Sequence, residues 1–256
     1  MQIKQKEWHD QWSMFSDEEL SVFLQYIYPY TLEDLRNKDV LECGSGGGHH
    51  TSFMAPYAKK ITAVDLNTIE IAKEKNKHFT NITFLEDDIA TMNLSCQFDM
   101  VLAIGVIHHT DSPEKTVQNL IKHVKSGGLL IMWVYSLEGN SIVKNVLEPI
   151  RKTFLGNTNR NMLFFISRMV TALLYIPVYS VYKLPVEFLP YYKYFKDFRG
   201  LSFKRNNLNV FDKLNAPQVD FISMERAKGW LNEDEFKDIH ISQYKGVSYR
   251  VSGRKM

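Results

Sequence analysis

The sequence predicts an α/β fold, a doubly wound and mainly parallel seven-stranded sheet with a C-terminal antiparallel hairpin and a helical lid insertion. Three observations predict it. Short β-branched runs alternate with helix-like stretches between residues 39 and 136. A glycine-rich bend, Gly44–Gly48, follows the first of these runs, and a turn separates two strand-like runs near the C-terminus. Because alternating strands and helices form βαβ units, the sheet is expected to be covered on both faces.

Five strands and the helices between them can be placed in order. The helical patterns cover about residues 49–58, 68–79 and 113–125. After the last of them, Ser126-Gly127-Gly128 predicts a helix stop that leads into the fifth strand. The predicted strands are short apolar runs bounded by polar or turn residues, and they cover Asp39–Cys43, Lys60–Asp65, Ile82–Glu86, Met100–Ile104 and Leu129–Tyr135.

Both ends of the chain are expected to add elements to this sheet. In residues 1–38, a predicted helical cap, Ser16-Asp17-Glu18-Glu19 has the form of a capping box that opens a helix through about Tyr28. At the other end, a helix over about 224–232 precedes two strands, Ile239–Gln243 and Val247–Ser252. The intervening Tyr244-Lys245-Gly246 predicts a hairpin.

The composition fits one large domain with an added lobe. With 256 residues, 45% of them apolar, the chain can bury a full core. We expect a cap at 1–38, a core formed by 39–136 and 216–256, and a lid at 137–215. Two cysteines are too few for a disulfide framework or a thiolate metal site, so no metal is predicted. The N-terminal segment lacks the apolar run of a secretory signal, so a cytoplasmic location is expected.

The lid segment differs in charge from the rest of the chain. Residues 139–205 contain eleven Lys or Arg and three Asp or Glu, a net charge of +8, whereas the whole chain carries +2. Aromatic side chains alternate with these cations, which suits an anionic ligand with a flat or apolar portion. The members of this basic, aromatic set are Tyr175, Tyr179, Tyr182, Phe188, Tyr191, Tyr192, Tyr194, Phe195 and Phe198, with Lys183, Lys193, Lys196, Arg199, Lys204 and Arg205.

One stretch of the lid is apolar enough to raise the question of a membrane. Met162–Tyr182 carries a single charge, Arg168, and is nearly long enough to span a bilayer. Arg168 and Pro177, both near its middle, argue against spanning. The favoured interpretation is a buried lid helix. Contact with a membrane surface or a lipid-like ligand is the alternative, and it would make the protein peripheral to the membrane.

The ends of the first two strands carry a pattern typical of a nucleoside site. Glu42-Cys43-Gly44-Ser45-Gly46-Gly47-Gly48 follows the first strand and opens a helix. Glycines allow a sharp turn and a close approach to a ligand, which the amides of a helix N-terminus then face. Asp65 ends the second strand, where a carboxylate can accept both hydroxyls of a ribose.

The spacing of the glycines separates two cofactors. A dinucleotide site requires G-x-G-x-x-G, and His49 stands where the third glycine would be. Glu42 lies inside the motif, and an anion there suits a sulfonium and an ammonium better than a pyrophosphate. The pattern E-x-G-x-G-x-G resembles the first motif of class I S-adenosylmethionine-dependent methyltransferases of the small-molecule type.

The resemblance continues over residues 39–136 in five ordered motifs and, more loosely, over 209–254. The further motifs are Ile61–Leu66, Phe84–Ile89, Phe98–Val101 with Val106–His109, and Leu120–Ile131, in which Ser126 replaces a common proline. In the second part, Asn209–Pro217 followed by Gly229-Trp230-Leu231 resembles a subgroup with an FDxLxP stretch and a Trp-containing helix, although Glu235 stands where that subgroup often has Gly.

The resemblance implies S-adenosylmethionine as the methyl donor and S-adenosylhomocysteine as the product. Asp65 would bind the ribose and Leu66 would pack on adenine. Asp88, preferred over Asp87, would accept from the adenine amino group, and the amide of Ile89 would meet a ring nitrogen. The residues implied to bind the donor are Glu42, Gly44, Ser45, Gly46, Gly48, Asp65, Leu66, Asp88, Ile89, Ala103, Gly105 and His108. In similar enzymes N-terminal helices close over the donor, so Trp8, Trp12 and Phe15 are candidates here, with plain helix packing as the alternative.

His108 and His109 are the candidate catalytic residues. The donor is already activated, so a base is needed only where the acceptor must lose a proton. Either imidazole can take that proton at neutral pH, and shaping the pocket is the alternative role. The Asn-Pro-Pro-Tyr type of turn is absent at 103–109, which favours an oxygen or carbon acceptor over nitrogen.

Methyl transfer to a small-molecule acceptor, anionic or lipid-like, is therefore the predicted function, and three alternatives stay open. The chain could be a non-catalytic module that binds the donor or its product. A nicotinamide-dependent oxidoreductase is disfavoured by His49. A nucleic-acid methyltransferase is suggested only by the basic lid, and nucleic acid is not the expected partner.

Overall fold

In the computed structural model, which describes residues 6–14, 19–155 and 158–256, seven strands form one sheet in the order β3-β2-β1-β4-β5-β7-β6. The first five strands are parallel, and β7 runs antiparallel to both β5 and β6. This confirms the predicted fold class. The strands are β1 Asp39–Cys43, β2 Lys60–Asp65, β3 Ile82–Glu86, β4 Phe98–Ile104, β5 Val124–Tyr135, β6 Phe236–Tyr244 and β7 Ser248–Lys255.

Helices lie between and beyond these strands. The α-helices are α1 Lys6–Met14, α2 Leu20–Ile27, α3 His49–Met54, α4 Ile69–Lys75, α5 Pro113–Lys122, α6 Glu148–Ile150, α7 Arg160–Tyr179, α8 Tyr192–Phe198, α9 Phe203–Asn215 and α10 Met224–Lys228. Short 3₁₀ turns occur at Leu32–Leu35 and Ile107–His109, and π-helical turns at Val143–Leu147 and Arg151–Leu155 flank α6.

Apolar side chains alternate between the two faces of the sheet and so build two cores. In β1, Val40 packs with α2 and α3 on one face, while Leu41 packs with α5 on the other. Val101 and Met100 of β4 divide in the same way. Since successive side chains of a strand point to opposite faces, this alternation is what a sheet covered on both sides requires.

The structure differs from the prediction at two element ends, and a third predicted end lies partly outside the described residues. The Ser126-Gly127-Gly128 helix stop is wrong, because α5 already ends at Lys122 and these residues form an irregular part of β5. Gly127 adopts a φ of 75° at this irregularity. The helix predicted over 224–232 ends at Lys228, so Trp230 follows it instead of lying within it. Of the predicted capping box, residues 16–18 lie outside the described residues, as does Phe15.

The segment between β5 and β6 is largely helical and packs on an apolar cluster of its own. Leu163 of α7 and Phe211 of α9 form its centre, and Leu147 and Leu155 from the π-helical turns pack against it. The favoured interpretation of α7 as a buried helix is wrong, since only 22% of its most apolar stretch is buried. By length and composition, α7 could cross a membrane.

Candidate functional site

The strand order reverses between β1 and β4, and the loops that follow these two strands meet there. In open α/β sheets such a reversal creates a crevice at the carboxyl ends of the strands. Gly44, with a φ of 76°, lies so close to the β4 loop that a Cβ on it would be 2.6 Å from the Cβ of Val106. Gly44 therefore meets both a conformational and a steric requirement for glycine.

Asp65 at the end of β2 is joined directly to the glycine loop. Its Oδ2 accepts a hydrogen bond from the Gly46 amide at 2.8 Å, and its Oδ1 accepts one from the Asn67 amide at 3.3 Å. Trp12 of α1 packs over the same loop, because a Cβ on Gly46 would be 2.8 Å from the indole. The structure thus brings together Asp65, which is predicted to bind the ribose, the glycine loop and the N-terminal helix α1.

Glu42 and Ser45 place buried polar groups at the glycine loop. The Glu42 carboxylate is buried, and its Oε2 accepts a hydrogen bond of 2.5 Å from the Thr51 hydroxyl of α3. Ser45 is also buried, and its hydroxyl has no hydrogen-bond partner among the residues that the structure describes. A buried hydroxyl of this kind is a position that a bound polar ligand can satisfy.

Gly48 supplies the close helix contact next to His49. A Cβ on Gly48 would be 2.9 Å from the Cα of Ala72 in α4, and the Asn76 amide donates to the Gly48 carbonyl at 2.8 Å. His49, the first residue of α3, is itself buried. The packing of α3 on α4 therefore needs no third glycine in the dinucleotide spacing.

The loop after β3 holds the residues expected to meet adenine. Asp88 is half-buried and its Oδ1 accepts from the Ala90 amide at 2.9 Å, whereas Asp87 is exposed and accepts from the Asp88 amide at 2.7 Å. The amide N–H of Ile89 takes part in no hydrogen bond within the described ranges. Leu66, the residue that directly follows β2, is half-buried. The greater burial of Asp88 agrees with its preference over Asp87, which stays a prediction.

His108 and His109 lie in the 3₁₀ turn after β4 and are both buried. The His108 ring stacks between His109 and Tyr135, at centroid distances of 4.2 and 4.3 Å. Burial lowers the pKa of His108 well below its usual range, and the neighbouring His109 and Lys213 lower it further. Neither ring nitrogen of His108 has a hydrogen-bond partner in the part of the chain described.

His109 is held in one tautomer. Its Nδ1 lies 2.8 Å from the Gln218 carbonyl oxygen, and because a carbonyl only accepts, Nδ1 carries the proton. Burial lowers the pKa of His109, although the Asp212 carboxylate opposes the shift. Both imidazoles are therefore neutral near pH 7 and have the protonation state that a base requires.

A cavity of about 280 Å³ lies at the carboxyl ends of β4 and β5, and neither His108 nor His109 lines it, although Tyr135 of its wall contacts the His108 ring. The core contributes Gly105, Trp133 and Tyr135 to its wall, and the lid contributes Tyr194, Phe195 and Lys213. Trp12 also lines it, so the cavity reaches the glycine loop. Its size is close to the lower limit for small-ligand pockets.

The cavity wall contains a hydrogen-bonded carboxylate and a cation. Asp212 of α9 accepts from the Tyr135 hydroxyl at 2.7 Å and from the Gln11 amide at 3.1 Å. Burial and the Asp212 charge raise the pKa of Tyr135 well above its usual range, so the phenol keeps its proton. Lys213 Nζ lies 5.5 Å from the ring centroid of Tyr135 and 5.4 Å from that of Tyr194. Among the described residues, no carboxylate forms an ion pair with Lys213.

The basic set predicted for the lid largely faces away from this cavity. Of its cations only Arg205 lines the wall, while Lys183, Lys193, Lys196 and Lys204 are exposed to solvent. The expectation that these lysines surround a ligand is therefore wrong. The other cations of the cavity are Lys213 and Lys245.

Residues 41–132 match the protein family described as the methyltransferase domain. Over these residues the chain is similar to S-adenosylmethionine-dependent methyltransferases of class I. The ubiquinone biosynthesis O-methyltransferase of Rickettsia conorii is 28% identical to this chain over 102 residues, which cover 39% of this chain and 35% of that protein. The chain spans less than half the length of the first curated relatives that it matches, between 28% and 46%.

Solved structures share the fold of the methyltransferase domain and of the whole chain. The N-methyltransferase NodS from Bradyrhizobium japonicum WM9, in complex with S-adenosylhomocysteine, superposes with a TM-score of 0.50 at 11% identity, covering 97% of this chain and 98% of its own. The magnesium protoporphyrin IX methyltransferase from Synechocystis PCC 6803, also with S-adenosylhomocysteine, gives a TM-score of 0.53 at 12% identity, covering 96% and 94%. The predicted family resemblance is confirmed.

Sequence reasoning missed the polar wall of the cavity. Tyr135 ends β5 at the carboxyl edge of the sheet, and this position was a usable signal. Asp212 and Gln11 carry no local signal, because their contacts join residues 77 and 201 positions apart. Lys213 falls next to Asp212 in the FDxLxP stretch, but nothing in that pattern indicates that its amine faces a cavity.

Proposed function

We propose that this protein transfers a methyl group from S-adenosylmethionine to an oxygen or carbon atom of a small, anionic or lipid-like acceptor. The observation that carries the proposal is the cavity whose wall includes both Gly105, next to the residue that contacts the glycine loop, and Lys213. A donor held by the loop would have its reactive end at the mouth of this cavity. Transfer between two neighbouring sites needs this arrangement.

The residues at the loop fit the donor. The Asp65 carboxylate, half-buried at the end of β2, has capacity left to accept from ribose hydroxyls. The Ile89 amide and the buried Ser45 hydroxyl are two donors without partners in the described chain, which a bound adenosyl group can use. When bound, S-adenosylmethionine supplies an electrophilic methyl group on a sulfonium. Glu42 places negative charge close to where positive charge would lie.

The cavity supports an acceptor that combines a flat or apolar body with an oxygen. Tyr194 and Phe195 provide flat apolar surfaces, and Lys213 provides a cation that favours an oxyanion. The indole N–H of Trp133 is buried in the wall and has no hydrogen-bond partner among the described residues. It is a second donor for an acceptor oxygen.

The chain's own residues supply positioning, exclusion of water and proton removal. Trp12 and side chains of the lid line the cavity, and its mostly apolar wall would limit water around the acceptor oxygen and strengthen charge interactions there. For an acceptor that must lose a proton, we assign the base to His109 because its Nδ1 is fixed by Gln218 and its Nε2 is left with the lone pair. His108 would then act by packing against Tyr135.

Two measurements test this proposal. Calorimetry with S-adenosylhomocysteine and with NAD should show binding of the first only. Transfer of a labelled methyl group to a panel of small phenols, enols and carboxylates should identify acceptors, and Lys213→Gln should raise KM by about tenfold or more for anionic members, the effect of one lost charge-assisted hydrogen bond. Lys228→Gln, an exposed lysine outside the cavity, is the matched control.

The outcomes separate the alternatives. Binding of S-adenosylhomocysteine with no methyl transfer to any member would leave a donor-binding module and remove the enzymatic proposal. Equal KM changes in Lys213→Gln and Lys228→Gln would remove the assignment of the cavity as the acceptor site.

We also propose that the protein is cytoplasmic and that residues 137–215 form a lid over the acceptor site.

A further inference from the structure

The outward face of α7 is apolar, whereas its inward face combines the buried Leu163 with two buried hydroxyl side chains. Ser167 and Thr171 are fully buried, and each hydroxyl lies within hydrogen-bond distance of Asn207 Oδ1 of α9, at 2.9 and 3.3 Å, as well as of a carbonyl of its own helix at 2.7 Å. On the opposite side, exposed large apolar residues recur every three or four positions, namely Met162, Phe165, Met169, Leu173 and Ile176. A helix on the surface of a globular protein in water normally has polar side chains on its outward face.

The neighbouring helical turns continue this pattern. Four exposed apolar residues are spaced four positions apart, from the N-cap of the π-helical turn Val143–Leu147 into the π-helical turn Arg151–Leu155, namely Ile142, Val146, Ile150 and Phe154. Their helix packs through Leu147 and Leu155 on the same apolar cluster as α7. In the described chain, 14 of the 17 exposed large apolar side chains lie between residues 142 and 203. Such concentration marks an interaction surface.

The charge of the same segment identifies what covers that surface. Six lysines of residues 139–205 are exposed, namely Lys144, Lys152, Lys183, Lys193, Lys196 and Lys204. Of its three acids, Glu148 is buried against Arg151, Asp197 pairs with Lys245, and only Glu187 remains exposed without an ion pair. A second copy of this chain would bring like charges together across a two-fold axis, which disfavours a homodimer.

We propose that the outward face of α7 and of the helical turns before it docks in the plane of an anionic membrane. The apolar side chains would enter the acyl region, and the surrounding lysines would lie at the headgroups. Arg168, the only exposed charged residue of α7, lies over the rings of Phe164 and Phe203 and can extend to the interface. The inference stands independently of the proposed methyl transfer.

Vesicle sedimentation of the full chain tests this inference. Binding to vesicles of equimolar phosphatidylglycerol and phosphatidylcholine is expected, with weaker binding to phosphatidylcholine alone and a decrease with added salt. Phe165→Gln/Leu173→Gln should lower the partition coefficient by about tenfold or more, because two apolar side chains leave the acyl region. Leu20→Gln/Met256→Gln, which changes two exposed apolar residues elsewhere, should stay within about twofold of the original chain.

A second pair of variants tests the electrostatic part. Lys183→Gln/Lys193→Gln should weaken binding to the anionic vesicles and reduce its salt dependence, whereas Lys122→Gln/Lys228→Gln, which removes two exposed lysines outside the segment, should not. Thermal melting of each variant checks folding, and these charge variants keep the test valid if an apolar variant unfolds.

Three results would overturn the inference. The first is equal partitioning of the chain and its Phe165→Gln/Leu173→Gln variant, or no binding to anionic vesicles. The second is a stable dimer in sedimentation velocity, without lipid, that the same variant abolishes. The third is resistance of membrane-bound chain to alkaline extraction, which would indicate a spanning α7 in place of an in-plane one.

Discussion

The carboxylate of Asp65 and the amide of Gly46 are joined by a hydrogen bond of 2.8 Å. This bond links the end of β2 to the glycine loop and orients the carboxylate at the crevice. Asp65→Ala should therefore weaken affinity for S-adenosylhomocysteine by about 1–3 kcal/mol through lost charge-assisted hydrogen bonds. Calorimetry measures this change. Asp87→Ala, an exposed acid one loop away, should leave affinity unaltered, and equal losses in both variants would remove Asp65 as the ribose ligand.

Gly44 and Gly127 form a matched pair of left-handed glycines. Their φ values are 76° and 75°, but a Cβ on Gly44 would strike Val106, whereas nothing lies within 4 Å of one on Gly127. Gly127→Ala should thus cost only backbone strain, about 1–2 kcal/mol in urea denaturation, with donor affinity unchanged. Gly44→Ala should cost more and also abolish donor binding, because Val106 and the loop must separate. Retained affinity in Gly44→Ala would contradict this view of the loop.

Thr51 stabilises a buried charge. Thr51→Val keeps the shape of the side chain but removes the hydroxyl that donates to Glu42, so the free energy of unfolding should fall by about 1–3 kcal/mol. Thr116→Val is the control, since the Thr116 hydroxyl is also buried but donates to the neutral Thr110 and Ser112 oxygens. A smaller loss is expected there. Equal losses would show that the charge on Glu42 does not matter.

Buried histidines should make folding sensitive to acid. In the unfolded chain His108 and His109 take up protons below their ordinary pKa of 6.5, but in the folded state burial lowers both pKa values. The unfolded state therefore binds more protons as the pH falls, and stability decreases from about pH 6.5 downward. Urea denaturation at pH 8 and pH 5.5 should show this loss, and His108→Phe should reduce it. His78→Phe, at an exposed histidine, should not.

Strands could be predicted better than helices because polar and turn residues bound the short apolar runs. The bounds of β1, β2 and β3 are the predicted ones. β5 begins five residues earlier than expected, since Val124 pairs with Phe98 on the far side of an irregularity that Ser126-Gly127-Gly128 creates. Glycines that resemble a helix stop can also accommodate a bulge, and only pairing with β4 distinguishes the two.

The helical character of the segment between β5 and β6 was predictable, but the orientation of its helices was not. Its apolar and basic composition was visible in the sequence, yet α7 packs on α9 through Leu163 together with the polar Ser167 and Thr171, and leaves a row of large apolar side chains exposed. Hydrophobic periodicity alone indicates which face is apolar and assumes that this face is buried. For the same reason the lysines expected around a ligand lie on the outside, and the cavity takes its cation from Lys213.

Asp212 accepts hydrogen bonds both from Gln11 of the cap and from Tyr135 of the cavity wall. An acceptor in the cavity that accepts a hydrogen bond from the Tyr135 hydroxyl would take that bond from Asp212, which would then interact more strongly with Gln11. Gln11 lies on α1, the helix whose Trp12 covers the glycine loop. Binding of the acceptor in the cavity and binding of S-adenosylhomocysteine at the glycine loop would then be thermodynamically linked. Each ligand would alter the dissociation constant of the other by the same factor. Tyr135→Phe should bring that factor close to unity, as calorimetric titration of S-adenosylhomocysteine with and without acceptor can establish.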